Sequence, residues 1–273
     1  MPELPDLEVI AQLLTRKVLG RQITAAEVLR PLVVRTLPDG SDPVPLVVAR
    51  TIEGIARRHK CLLFRLDSGY WIGVNPMLAG RLRHGPAPLP RLLRDYVRLT
   101  LNDETELVYH DPEGMGKVYV TPRPDLIPGY AAWGPEPLSD ELTPEEFMAR
   151  LKPFRGEVKG VLTRGALVAG IGNAYADEIL FEAGIYPFRR VTRLSRQERL
   201  RLYESMRAVL SRAIGEVRAG MADDPAAIHR GNLRVHRRKG EPCPRCGHPI
   251  SEVTGAAHAT DFCRQCQPGT MFD

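Results

Sequence analysis

Cysteine is nearly absent from the body of this chain. Of five cysteines in 273 residues, four crowd into one stretch near the end and Cys61 stands alone ahead of them, so no disulfide framework holds the rest together. No apolar run approaches the ~18 residues of a membrane span, and the charged start does not resemble a secretory signal. A cytoplasmic location with no membrane partner is therefore expected. Internal repeats and low-complexity tracts are missing as well. Lysine is scarce beside arginine, yet the net charge is +5 and the pI near 9.0, a balance suited to a polyanionic partner. With 43% hydrophobic and 26% charged residues, the composition is that of a globular protein long enough for about two domains.

What the chain does have begins at its first six residues, Met1-Pro2-Glu3-Leu4-Pro5-Asp6. Removal of Met1, favoured by the small Pro2, would leave a secondary amine. An α-amino group titrates near ~8, so part of it is neutral and nucleophilic at neutral pH. Such an amine can form an iminium adduct with an electrophilic carbon, and Glu3 beside it is suited to moving protons. The same residues also suit an ordinary helix start, with Pro5 in the first turn. From Leu7 the stripe Leu7, Ile10, Leu14, Val18 predicts a helix that Gly20 ends.

Residues 22 to 120 predict short strands at Ile23–Val28, Pro31–Val34, Cys61–Leu66, Trp71–Val74, Tyr96–Leu101, Glu106–Tyr109 and Val118–Val120, with turns at Ser68-Gly69 and Asn102-Asp103. An antiparallel sandwich or barrel follows. Three stretches in it admit a function. Arg57-Arg58-His59-Lys60 is either a phosphate contact or a solvated strand end. Met77, in Asn75-Pro76-Met77-Leu78-Ala79-Gly80-Arg81, is either a wedge for a base stack or a core residue. Asp111-Pro112-Glu113-Gly114-Met115-Gly116-Lys117 is a glycine-rich loop or a plain hairpin connection.

Prolines and glycines concentrated in residues 122–137 mark a boundary. A capping box at Thr143…Glu146 and another at Ser195…Glu198 open helices, the second long and basic. In Gly170-Ile171-Gly172-Asn173 the backbone turns tightly into a helix, where Asn173 either grips a phosphate or caps that helix. The expected organisation is 1–122 a β-rich domain, 123–137 a linker, 138–225 a helical domain and 226–273 a metal-bearing hairpin. Cys243-x2-Cys246-x16-Cys263-x2-Cys266 predicts one closed, structural zinc site with four thiolates. Basic residues around it suit a DNA backbone or a solvated face. Cys61 reads as a small buried apolar residue.

Taken together, Met1-Pro2-Glu3-Leu4-Pro5, Gly134-Pro135-Glu136-Pro137-Leu138, the run from Gly170 to Glu178 with Ile185 and Pro187, and the cysteine quartet ending in Gln267 resemble the formamidopyrimidine-DNA glycosylase and endonuclease VIII family of base-excision repair enzymes. The resemblance spans nearly the whole chain. It implies an α+β fold: an N-terminal helix and two-layer antiparallel β-sandwich, then a helix-two-turn-helix domain with a four-cysteine zinc finger. It also implies a bifunctional DNA glycosylase and abasic-site lyase. In that scheme Pro2 attacks C1′ of a flipped nucleotide and Glu3 moves a proton at the ring oxygen. Lys60 meets phosphates at the active site, Lys159 lies near the lesion pocket, Asn173 grips phosphate, and Met77 fills the void left by the flipped base. The implied partner is damaged double-stranded DNA, with single-stranded DNA as an alternative, bound by a monomer at the nucleoid.

The chain departs from the family pattern in four places. Asp6 stands where glutamate is usual. His258 replaces an arginine of the finger hairpin, a shorter side chain and only partly charged near neutrality. Glu113 and Met115 replace the arginine that faces the orphaned base and a phenylalanine wedge. These departures point away from 8-oxoguanine opposite cytosine. They keep open two further readings, an endonuclease VIII-like preference for oxidised pyrimidines and a non-catalytic damaged-DNA-binding protein of the same fold.

Overall fold

Helix α1 (Leu4–Val18) opens the chain in the computed structural model, which describes residues 1–255 and 259–270. The predicted stripe of Leu7, Ile10, Leu14 and Val18 is buried, and Gly20 turns the chain away with φ +75°. The chain divides into two units, residues 1–131 with 217–229 and residues 132–216 with 230–273.

In the first unit α1 packs on β3 (Ile52–Arg58) and β4 (Cys61–Leu66). These strands belong to a five-stranded sheet that also contains β2 (Val34–Thr36), β5 (Trp71–Asn75) and β9 (Lys117–Thr121), in the order β2-β9-β5-β4-β3. The second sheet runs β1-β7-β8-β6, built from β1 (Ile23–Val28), β6 (Arg81–Pro86), β7 (Asp95–Leu101) and β8 (Thr105–His110). Phe64, Ile72 and Val118 of one sheet meet Leu82, Leu99 and Leu107 of the other to form the sandwich core. A short helix, α2 (Val44–Val47), lies between β2 and β3.

Four elements differ from the sequence expectation. Residues Pro31–Val33 form a 3-10 turn before β2, because the fixed proline φ suits a helical first position. β2 then pairs with β9 in parallel, the one parallel pairing in the described sandwich. No hairpin joins these two distant segments, so nothing forces them antiparallel. β3 and β6, which carry arginine and glycine rather than an apolar alternation, are strands all the same. Each takes its conformation from its partner, β3 from β4 and β6 from β8.

The second unit is helical. α3 (Pro144–Leu151) starts where the Thr143 hydroxyl accepts from Glu146 N–H (3.2 Å). α4 (Val158–Thr163) and α5 (Asn173–Ala183) follow, and α5 ends on Gly184 with φ +64°. α6 (Arg196–Met221), whose residues 217–221 count with the first unit, opens on the predicted reciprocal cap: Glu198 N–H donates to Ser195 Oγ (3.2 Å) and Ser195 N–H to the Glu198 carboxylate (2.8 Å). A small hairpin, β10 (Ser251–Thr254) with β11 (Ala259–Phe262), completes the unit. No helix among the described residues is long and apolar enough to cross a membrane.

Candidate active site and DNA-binding elements

Pro2 is buried at the head of α1, with Met1 partly exposed before it. Glu3 is 2% exposed, and its N–H donates to the Asp6 carboxylate (2.8 Å). The shorter acid at position 6 therefore closes the first turn and fixes the backbone that carries Pro2 and Glu3. Arg57 Nε donates to the Glu8 carboxylate (2.8 Å), which ties α1 to the end of β3.

Arg58 pairs with Cys61, so His59 and Lys60 are the two residues of the β3–β4 turn, and His59 sits at φ +54°. A histidine in that region is strained, a cost that accumulates at functional sites. Burial, opposed by the Glu3 carboxylate, holds the Lys60 ammonium below the usual lysine range. Cys61, fully buried, has its thiol pushed up to about 12 by desolvation and is inert.

Met77 does not enter the core. It is half-buried in the loop after β5, at φ +47°, where Asn75 Oδ1 accepts its N–H (3.1 Å). The 111–116 loop is organised by Asp111, which is fully buried and accepts from Gly116 N–H (2.7 Å), Glu113 N–H (3.1 Å) and the Tyr109 hydroxyl (3.3 Å). Burial, with Asp111 beside it, raises the Tyr109 phenol and keeps it a donor. Glu113 and Met115 are exposed at the loop tip.

In the second unit α5 faces the hairpin with Asn173 and Asp177, four residues apart on one side of the helix. Asn173 Nδ2 donates to Ala259 O (3.0 Å), and the N-cap position belongs to Gly172. Lys159, 7% exposed, donates to Ala259 O (3.0 Å) and Thr260 Oγ1 (2.9 Å) and pairs with Asp177 (2.7 Å). An ammonium has three donors, and these acceptors use all three. The Asp177 carboxylate also meets His236 Nδ1 (2.8 Å) and Asp261 N–H (3.3 Å). Glu178 accepts from Arg234, Val235 and His236 N–H at 2.9–3.0 Å. Sequence reasoning singled out Lys159 and Asn173 for DNA and assigned no role to Asp177, Glu178, His236 or Asp261. The four-residue spacing of Asn173 and Asp177 was the available signal. His258 lies outside the described residues.

Lys159→Met should strip Asp177 of its buried counter-ion and lower unfolding stability by about 3 kcal/mol. Urea denaturation reads this, and Asp177→Asn in the same chain should recover part of the loss. Unchanged stability with weakened DNA binding would instead assign the Lys159 ammonium directly to DNA.

The metal centre can be tested on its sulfurs. Cys243 and Cys266 Sγ are 3.8 Å apart and Cys246 and Cys263 Sγ 3.5 Å, with all four sulfurs within 4.8 Å of one another. Sulfurs held at ~2.3 Å around a tetrahedral zinc lie at nearly these separations. The donor set therefore fits zinc. Phe181, Val235 and Ile250 pack on Cys243 and Cys263. Gln267, fully buried, accepts from Cys263 N–H (3.0 Å) and donates to Ile185 O (2.9 Å).

Comparison with known proteins bears on these same segments. The family profile of the formamidopyrimidine-DNA glycosylase N-terminal domain matches residues 1–118, that of the H2TH domain 133–223, and that of a zinc finger found in FPG and IleRS 240–269. The chain is 39% identical to a formamidopyrimidine-DNA glycosylase of Symbiobacterium thermophilum, covering 98% of this chain and 90% of the relative. It is 35% identical to that of Geobacillus kaustophilus over 98% of this chain and all of the relative. Among solved structures, Lactococcus lactis Fpg in complex with DNA containing an abasic site superposes with a TM-score of 0.89 at 26% identity, covering 98% of this chain and 100% of that one. Thermus thermophilus MutM (FPG) does so with 0.85 at 33%, covering 97% and 98%.

Proposed function

Since the chain belongs to the formamidopyrimidine-DNA glycosylase family, and is thus a base-excision repair DNA glycosylase with abasic-site lyase activity, we propose that its own chemistry runs through the Pro2 nitrogen. The zinc site holds one structural ion that fixes the finger and takes no part in bond making.

With Met1 removed, the Pro2 secondary amine attacks C1′ of a nucleotide withdrawn from the duplex, and the base leaves. Glu3 exchanges a proton with the ring oxygen as the sugar opens. The resulting iminium acidifies the C–H at C2′, and elimination then expels the 3′ phosphate. The single observation that carries this scheme is the N-terminal constellation: buried Pro2, Glu3 held by Asp6, and the Lys60 ammonium in the field of Glu3. Lys60 attracts the phosphates flanking the opened sugar, and Met77 occupies the space that the base vacates. The Lactococcus lactis relative has been solved with DNA containing an abasic site and, as a mutant, with DNA containing Fapy-dG, which supports damaged DNA as the partner. The net charge of +5 favours the DNA of the nucleoid, and one chain supplies every group in the scheme, as a monomer requires. Borohydride reduction in the presence of abasic-site duplex tests the scheme: a covalent protein–DNA product is expected, and tight binding without one would leave only a damage-binding protein.

The Lys60 shift makes a pH prediction. Its folded pKa is lowered, so the unfolded chain binds more protons there, and the Lys60 contribution to stability rises with pH between the depressed value and the ordinary ~10.4. Phosphate attraction runs the other way, because the charge is lost as pH rises through that depressed value. The alkaline decline of trapping should therefore begin below the usual lysine range, and Lys60→Arg should move it upward. A decline that Lys60→Arg leaves in place would assign it to another group.

A further inference from the structure

The loops after β5 and β8 close on one buried oxygen. A Cβ at Gly80, in the first loop, or at Gly116, in the second, would overlap the Tyr109 hydroxyl, so both backbones reach it only as glycine. Tyr109 lies on β8, 2% exposed, and its hydroxyl donates to Asp111 Oδ2 (3.3 Å), the oxygen that also takes the Gly116 N–H (2.7 Å). The stems of the two loops are paired, Asn75 opposite Lys117. Met77 belongs to a tight turn in the first loop, where Gly80 N–H donates to Pro76 O (2.9 Å) and Asn75 Oδ1 accepts the Met77 N–H (3.1 Å). The turn that carries Met77 is thus tied at its stem, and its Gly80 end rests on the Tyr109 oxygen. Pro2, Pro76, Gly80 and Tyr109 line one apolar recess, so the same tyrosine borders the space behind the nucleophile.

Met77, at φ +47°, holds a left-handed backbone that persists only where its surroundings over-determine it. A side chain that fills a gap in a base stack needs such a backbone, because unstacking opposes its entry and a turn that yields would not hold the gap open. We propose that Tyr109 is a positioning residue for the withdrawal of the nucleotide: its hydroxyl braces the turn that presents Met77 and takes no part in bond making at Pro2. The oxygen suits this task, since a buried phenol beside Asp111 stays protonated and keeps its one donor on that carboxylate. The two parts of the side chain have separate duties. The ring fills the recess with Leu7, Ile10 and Leu62, and the hydroxyl holds the loops. Tyr109→Phe therefore deletes the brace alone. It keeps the ring, and it leaves Asp111 the N–H groups of Gly116 (2.7 Å) and Glu113 (3.1 Å), which hold the second loop in place.

This inference rests on the roles of Pro2 and Met77 proposed above, and its test follows two signals on one duplex. 2-Aminopurine placed beside an abasic site brightens as the stack opens, whether or not a covalent bond follows. Borohydride trapping under single-turnover conditions reports the bond. Tyr109→Phe should slow both signals about tenfold, the effect of one hydrogen bond lost. Mismatched pairs flanking the abasic site open the stack in advance, and on that duplex Tyr109→Phe should trap within about twofold of the unaltered protein. A brightening rate that Tyr109→Phe leaves unchanged overturns the assignment. Trapping that stays tenfold slow on the mismatched duplex overturns it too, by moving the effect to the chemistry at Pro2. Brightening without trapping by the unaltered protein would remove the Pro2 scheme and leave Tyr109 to be judged on the fluorescence. Absence of brightening would remove the Met77 wedge and this inference with it.

Discussion

A chain that keeps Met1, or carries any N-terminal extension, should bind abasic-site DNA and neither nick it nor become linked to it. Acylation turns the Pro2 nitrogen into a peptide nitrogen whose lone pair is delocalised into the carbonyl, and no iminium can form from it. The loss should be roughly a thousandfold or more in single-turnover nicking, as expected when the nucleophile itself is removed. Binding should change by no more than a few fold, because Lys60 and the finger are untouched. Pro2→Gly is the informative companion. It restores a primary amine after Met1 removal, but without the ring that packs in the recess with Leu7, Ile10 and Leu62. Its rate should fall between that of the native chain and zero. Gel shift and nicking on the same duplex separate the two effects, and nicking by the Met1-retaining chain at the native rate would exclude Pro2.

Cys263→Ser should cost the protein its finger and most of its DNA affinity. Cys263 is fully buried, and the hydrophobic cluster around the sulfurs consists of Phe181, Val235, Cys243, Ile250 and Cys263. Four residue pairs join β10 to β11, and an isolated two-stranded hairpin is marginal in water. Structural zinc supplies on the order of 10 kcal/mol to such sites, far more than this cluster could replace. The damage should spread. Ala259 O and Thr260 Oγ1 are acceptors for Lys159, and Ala259 O also for Asn173, so an unfolded hairpin leaves both donors without these partners. Affinity for abasic-site DNA should drop about a hundredfold or more, with zinc content falling from one ion per chain to none. Unchanged binding by the metal-free protein would show that the finger is dispensable.

What the sequence made legible was chemistry written in adjacent residues. Pro2-Glu3 and the two C-x2-C pairs announce their roles without a fold, as do the capping boxes at Thr143 and Ser195. Strands β3 and β6 escaped because Gly54, Arg57, Arg58 and Gly85 break any alternation, and pairing with β4 and β8 overrides the weak local preference. The partners of Lys159 were equally out of reach. Its carbonyl acceptor lies 100 residues away, and the four groups that complete the buried cluster come from α4, α5, β11 and the segment around His236. Met77 was ambiguous for a different reason. Apolarity alone does not distinguish a core residue from a wedge, and its left-handed backbone in an Asn75-capped turn was invisible in the residue types.

The most direct test of the Pro2 nucleophile is to locate the covalent bond. Reduced protein–DNA adduct, digested with nuclease and protease, yields an N-terminal peptide for tandem mass spectrometry. The deoxyribose remnant should sit on Pro2, with Met1 gone. The natural competitor is Lys60, whose amine burial holds below the usual lysine range. A remnant on Lys60, or on a peptide that still begins with Met1, would contradict the central claim.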